Sequence, residues 1–91
     1  MMQTVYVKIS GRVQGVFFRF HTKQQADALD VKGWVRNSKD GIVEAVFEGD
    51  KEQVEKLVAW CRIGSPQSQV EDVVVTSMDV TVGCRSFSII H

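Results

Sequence analysis

The sequence predicts an α+β fold in which two helices pack on one face of an antiparallel sheet, in the order β-α-β-β-α-β with one short extra strand at the end. Three observations carry that expectation. Apolar residues alternate with polar ones at Val5, Val7 and Ile9, and again at Val43, Ala45 and Phe47, the period of a half-buried strand. In two other stretches, residues 18–29 and 54–61, the apolar spacing becomes helical. Breakers separate the elements: Gly33, Ser38-Lys39-Asp40-Gly41 and Gly64-Ser65-Pro66.

The first strand places Val5, Val7 and Ile9 opposite Tyr6, Lys8 and Ser10. Gly11-Arg12-Val13-Gln14-Gly15-Val16 follows, too rich in glycine for a helix and too long for a tight turn. From about Phe18, the residues Phe18, Thr22, Gln25, Ala26 and Leu29 share one helical face, and Gly33 follows the helix end. Residues 34–37 form a short strand, and Ser38 to Gly41 turn the chain into the strand of Val43, Ala45 and Phe47. Asp50 is the expected N-cap of the second helix, with Gln53 three residues later as in a capping box. Val54, Leu57, Val58 and Cys61 are the apolar face of that helix. Residues 70–80 are a long β-prone run, and residues 87–90 a last short strand. This order is the split βαβ, ferredoxin-like arrangement. It hosts RNA-binding modules, metal chaperones, ligand sensors and hydrolases, so function has to be argued from a site.

Composition narrows the choice. Ninety-one residues with no linker, repeat or low-complexity stretch make one domain, and 44% apolar content without net charge argues against disorder. Eleven basic residues balance eleven acidic ones, which weighs against a sequence-independent nucleic-acid binder. No apolar stretch approaches the roughly 20 residues that cross a bilayer. Met1-Met2-Gln3-Thr4 lacks the basic and apolar regions of a secretory signal, so a cytoplasmic protein is expected. Cys61 and Cys84 are too few and too far apart for a zinc site or a CxxC motif. Two reduced thiols are expected, one of them in the core.

The chemistry-bearing segment is Gly11-Arg12-Val13-Gln14-Gly15-Val16-Phe17-Phe18-Arg19, between the first strand and the first helix. Consecutive loop N–H groups can curl into an anion-binding nest, and the N-terminus of the following helix adds unpaired donors and a positive dipole end. Arg19, in the first turn, carries a permanent charge and can grip two phosphate oxygens at once. Glycine spacing alone is a weak signal, and neither GxxxxGK[ST] nor GxGxxG occurs.

The whole string is more specific than its parts. It closely resembles the acylphosphatase signature G-R-V-Q-G-V-x-F-R, and Gly33-Trp34-Val35-Arg36-Asn37 resembles the same family's G-x-V-x-N. The resemblance continues through Asp40-Gly41, Phe47-Glu48-Gly49, Gly64-Ser65-Pro66 and Phe87-Ser88-Ile89, so residues 1–91 are expected to be a single acylphosphatase-like domain. It implies a hydrolase that splits the carboxyl–phosphate bond of acyl phosphates. Arg19 would bind the phosphate and Asn37 would hold the attacking water. The backbone amides of Gly15, Val16, Phe17, Phe18 and Arg19 would complete the cradle. The accompanying expectations are no cofactor and no metal, inorganic phosphate as a product inhibitor, no nucleic-acid or membrane partner, and a monomer. One departure is visible: Leu29-Asp30-Val31 stands where the family usually has a glycine in the middle, which puts Asp30 in a left-handed cap at some steric cost.

Other residues are weighed against this site. His21 lies two positions from Arg19, about 200° around a helix, so it faces away. His91, last in the chain, is expected to be mobile. Glu44, Glu48, Glu52 and Glu55 read as solvated faces, and Trp34 and Trp60 as packing residues. Two alternatives stay open: an RNA-binding module, for which the strand Ile42-Val43-Glu44-Ala45-Val46-Phe47-Glu48 has only one aromatic and two acids, and an anion sensor or partner-binding domain without turnover.

Overall fold

A computed structural model describes residues 1–91. Along the chain run β1 (Met2–Arg12), α1 (Phe18–Ala28), β2 (Lys32–Asn37), β3 (Val43–Asp50), α2 (Lys51–Ile63), β4 (Gln69–Met78) and β5 (Phe87–Ile89). The sheet order is β4-β1-β3-β2-β5. β1 pairs antiparallel with both β3 and β4, and β3 pairs antiparallel with β2. The fold is the predicted ferredoxin-like α+β arrangement. The sheet is mixed rather than wholly antiparallel, however, because β5 runs parallel to β2. After β4, at one edge, residues 79–86 carry the chain to the opposite edge.

Alternation decides which face each strand buries. Val5, Val7, Ile9, Val35, Val43, Ala45 and Phe47 point towards the helices and pack on Phe18 and Ala26 of α1 and on Val54, Leu57 and Cys61 of α2. Trp60 adds its ring against Phe18, with centroids 5.4 Å apart, while Arg36 lies over Trp34 at 5.2 Å. Trp60 packs on the core as expected, whereas the contact of Trp34 is with Arg36. Burial pushes the Cys61 thiol up to about 12, which makes it a small core hydrophobe; Cys84, half-buried after β4, is also free.

Two glutamates depart from the expected solvated faces. Glu48 is only 6% exposed. Its carboxylate accepts from Thr4 Oγ1 at 2.6 Å, from the Val82 amide at 2.8 Å and from the Gly83 amide at 3.2 Å. These hydrogen bonds, Thr4 first, hold its pKa below the ordinary 4.5. Residues 79–86 therefore cross the sheet on the face away from the helices and cover Glu48. Glu44 accepts from the Tyr6 hydroxyl and from Arg36 Nε at 3.2 Å, and the Tyr6 phenol is pushed up to about 12 by that carboxylate.

The helix ends follow backbone chemistry. Asp50 caps α2 through its carboxylate, which accepts from the Glu52 amide at 3.1 Å. The expected capping box does not close. Asp50 is also the last residue of β3, opposite Met2 in the ladder, and Gln53 Oε1 is left without a partner. Helix α1 ends in a Schellman turn: the Asp30 amide bonds Asp27 O at 3.3 Å and the Val31 amide bonds Ala26 O at 2.9 Å. Asp30 sits at φ 57, the left-handed position that the sequence predicts. Gly33 is not merely a spacer after α1 but part of β2. A Cβ there would lie 1.9 Å from the Val46 carbonyl oxygen, so only glycine lets β2 approach β3. No helix is long and apolar enough to cross a membrane.

Candidate active site

Two side-chain bonds shape the loop between β1 and α1. Gln14 Nε2 donates to the carbonyls of Ser38 at 2.8 Å and Ile42 at 2.9 Å, tying the loop to the β2–β3 turn. Ser65 Oγ, buried after α2, donates to Val16 O at 2.8 Å and ties it on the other side. Between these ties, Gly15 takes φ 75 in open space, so its glycine is required by conformation and not by room. Phe17 takes φ 59 and ψ 25, a left-handed conformation that costs a bulky residue about 1–3 kcal/mol.

The strained turn leaves donors free. Phe17 is the N-cap of α1, yet no side chain caps the helix and its first turn has no acid. The amides of Gly15, Val16 and Phe17 donate to nothing within the chain. The first-turn amides of a helix have no intrahelical acceptor. A loop and a helix end thus present uncompensated N–H groups and the positive end of the helix dipole together.

A cavity of about 570 Å³ opens on this loop, with Gly15, Phe17, Phe18, Arg19 and Asn37 on its wall. No Asp or Glu side chain lines it. Arg19 is half-buried and makes no ion pair or hydrogen bond with any side chain or carbonyl. Asn37 ends β2 opposite Val43, one residue before the turn that Gln14 grips. Its Oδ1 is buried without a partner. An unsatisfied buried oxygen costs about 1–3 kcal/mol and calls for an explanation. The arrangement can hold an anion against a fixed cation and free amides, and can accept one hydrogen bond beside it.

Of the residues singled out in the sequence, the fold brings Arg19, Asn37, Gly15, Phe17 and Phe18 to one cavity. Val16 is not on that wall; its side chain is buried, and it borders a separate recess with His21 and Pro66. His21 accordingly faces away from Arg19. The parallel pairing of β5 with β2, extended by the Ile90 amide on Val35 O at 2.9 Å, brings His91 to the cavity wall beside Ile89. Gln14 went unremarked in the sequence except as a letter of the motif, because its partners lie 24 and 28 residues away. No three His, Cys, Asp or Glu side chains gather where they could hold a metal ion.

Comparison with known proteins decides the family. The acylphosphatase family model matches residues 5–89. The chain belongs to the acylphosphatase family. An acylphosphatase from Pelotomaculum thermopropionicum is 54% identical over 84 residues, covering 92% of this chain and 91% of its own. One from Methylococcus capsulatus is 45% identical over 90 residues, covering 99% and 98%. The crystal structure of the acylphosphatase from Bacillus subtilis superposes with a TM-score of 0.95 at 37% identity, covering all of both chains. Family membership makes the chain one of a family of enzymes.

Proposed function

We propose that residues 1–91 act as one unit that hydrolyses acyl phosphates to a carboxylate and inorganic phosphate, with the cavity at Arg19 and Asn37 as the active site. The observation that carries this reading is that Arg19, which has no partner in the chain, and Asn37 line one cavity. The free amides of Gly15 to Phe17 support it.

The substrate's phosphoryl group sits against the loop amides and the guanidinium, two of whose N–H groups donate to two phosphate oxygens. The Asn37 side-chain amide holds a water molecule and turns the water's lone pair towards phosphorus. A P–O bond forms to the water oxygen as the P–O bond to the acyl oxygen breaks, in line, and the carboxylate departs with the electron pair. Phosphoryl transfer of this kind needs positioning and charge stabilisation more than covalent chemistry. The leaving carboxylate has a conjugate acid of pKa about 4, so it departs unprotonated and no general acid is needed. An amide does not take up the water's second proton; a phosphate oxygen of the substrate does. Metal ions have no part in the scheme, and inorganic phosphate competes for the cradle.

The test is phosphate release from acetyl phosphate by the purified chain and its Arg19→Gln variant, with and without a chelator. Turnover by the wild type that survives the chelator and falls at least about 10²-fold in the variant is expected, the size of loss seen when a stabilising donor is removed. Phosphate binding without turnover would make the chain an anion sensor instead.

A further inference from the structure

Besides Gly15, Arg19, Asn37 and His91, the wall of the 570 Å³ cavity is apolar, built from Val13, Phe17, Phe18, Phe20 and Ile89. Two of these side chains stand in water. Phe17 is 71% exposed and Phe20 is 52% exposed, three residues apart at the start of α1 and so on one side of the helix. Phe17 is doubly unfavourable, being a large apolar group in solvent at a backbone position that glycine would fill without strain. Packing does not account for it, since the core is complete without it. Phe20 also makes an edge-on contact with His21, centroids 5.4 Å apart at 79°. The site therefore presents an aromatic ledge on the cavity that Arg19 and Asn37 line.

The chemistry of the reaction says what meets that ledge. With phosphorus in the cradle and water on Asn37, the acyl group hangs from the bridging oxygen and has to leave the cradle along the cavity wall. Apart from Arg19, Asn37 and the exposed His91, that wall offers no polar side chain to an acyl group. We propose that Phe17 and Phe20 bind the acyl group and make the chain selective for acyl phosphates whose acyl group is apolar, aromatic or branched aliphatic, over small or polar ones. This inference rests on the acyl phosphate reading above.

The experiment compares kcat/KM for acetyl phosphate and cyclohexanecarbonyl phosphate. Their leaving carboxylates have nearly the same basicity, so the ratio reports contacts to the acyl group and not departure. The wild type is expected to favour the cyclohexyl substrate by about tenfold or more, the discrimination that added methylenes give in an apolar site. Phe20→Ala and Phe17→Gly should each lower that ratio by at least about threefold, a loss expected when an aromatic contact surface is removed. Because the readout is a ratio within each variant, a general loss of activity divides out. A wild-type ratio near one, or a ratio unmoved by both substitutions while acetyl phosphate is still hydrolysed, would overturn the ledge and leave the active site standing. Hydrolysis of neither substrate would overturn both.

Discussion

Arg19 and Asn37 divide the work of the proposed site: one neutralises charge and the other holds water. The division makes their substitutions fail differently. Arg19→Lys keeps the charge but loses the planar fork, so kcat/KM for acetyl phosphate should drop by at least about tenfold. Near wild-type turnover would mean that the cradle does not use a bidentate grip. Asn37→Ala should lower kcat by about 10²-fold while inhibition by inorganic phosphate stays within about threefold, the split expected when positioning and not binding is lost. Weaker phosphate inhibition with intact kcat would assign Asn37 to binding. Both residues were legible in the sequence through their motifs. What the motifs did not convey is that Asn37 Oδ1 is buried and unpaired, and that Gln14 ties the neighbouring β2–β3 turn to the loop, both facts of the tertiary structure.

At the scale of elements, the helices and strands β1 and β3 follow from periodicity, since Val5, Val7, Ile9, Val43, Ala45 and Phe47 all bury on the predicted face. The left-handed cap at Asp30 was legible through the family resemblance, because Asp30 stands where the family usually has glycine. Asp30→Gly should remove that strain and raise Tm by up to about 6 °C, less whatever glycine adds to the unfolded chain's freedom. An unchanged or lower Tm would mean that the Asp30–Lys32 ion pair, 2.7 Å long, offsets the strain. Glu48 was not legible. It alternates with Phe47 as a solvent-facing residue should, and only residues 79–86, more than thirty positions later, bury it. Local pattern contains no trace of such a contact. Its carboxylate has a depressed pKa, so its stabilising effect is complete above the ordinary 4.5 and fades as pH falls through the lower folded-state value. Glu48→Gln should destabilise the fold by about 1–3 kcal/mol at pH 7 and flatten the acid side of the stability profile. Chemical unfolding at pH 7 and below pH 4.5 measures both, and an acid profile as steep as the wild type's would remove Glu48 from that role.

Across the whole molecule, long-range connections assemble the cavity: β1 leads into the loop, α1 supplies Arg19, β2 supplies Asn37, and β5, reached by the crossing segment 79–86, adds Ile89 and His91. The parallel seating of β5 was not readable from a three-residue strand, whose short pattern fits either edge and either direction. It matters because it puts a titratable side chain on the wall of a site that is argued to donate no proton. The central claim is that charge stabilisation and a held water suffice, so that the rate follows the leaving group's own stability. The measurement that tests it most directly is kcat/KM for acetyl phosphate against glycerol phosphate at one pH. Glycerol phosphate leaves as an alkoxide and needs a proton donor or a metal. The account predicts acetyl phosphate ahead by more than about 10⁴-fold, the upper range of what a general acid contributes. Comparable values would contradict it and would show that a proton donor operates in the cavity, with His91 the titratable side chain placed to be one.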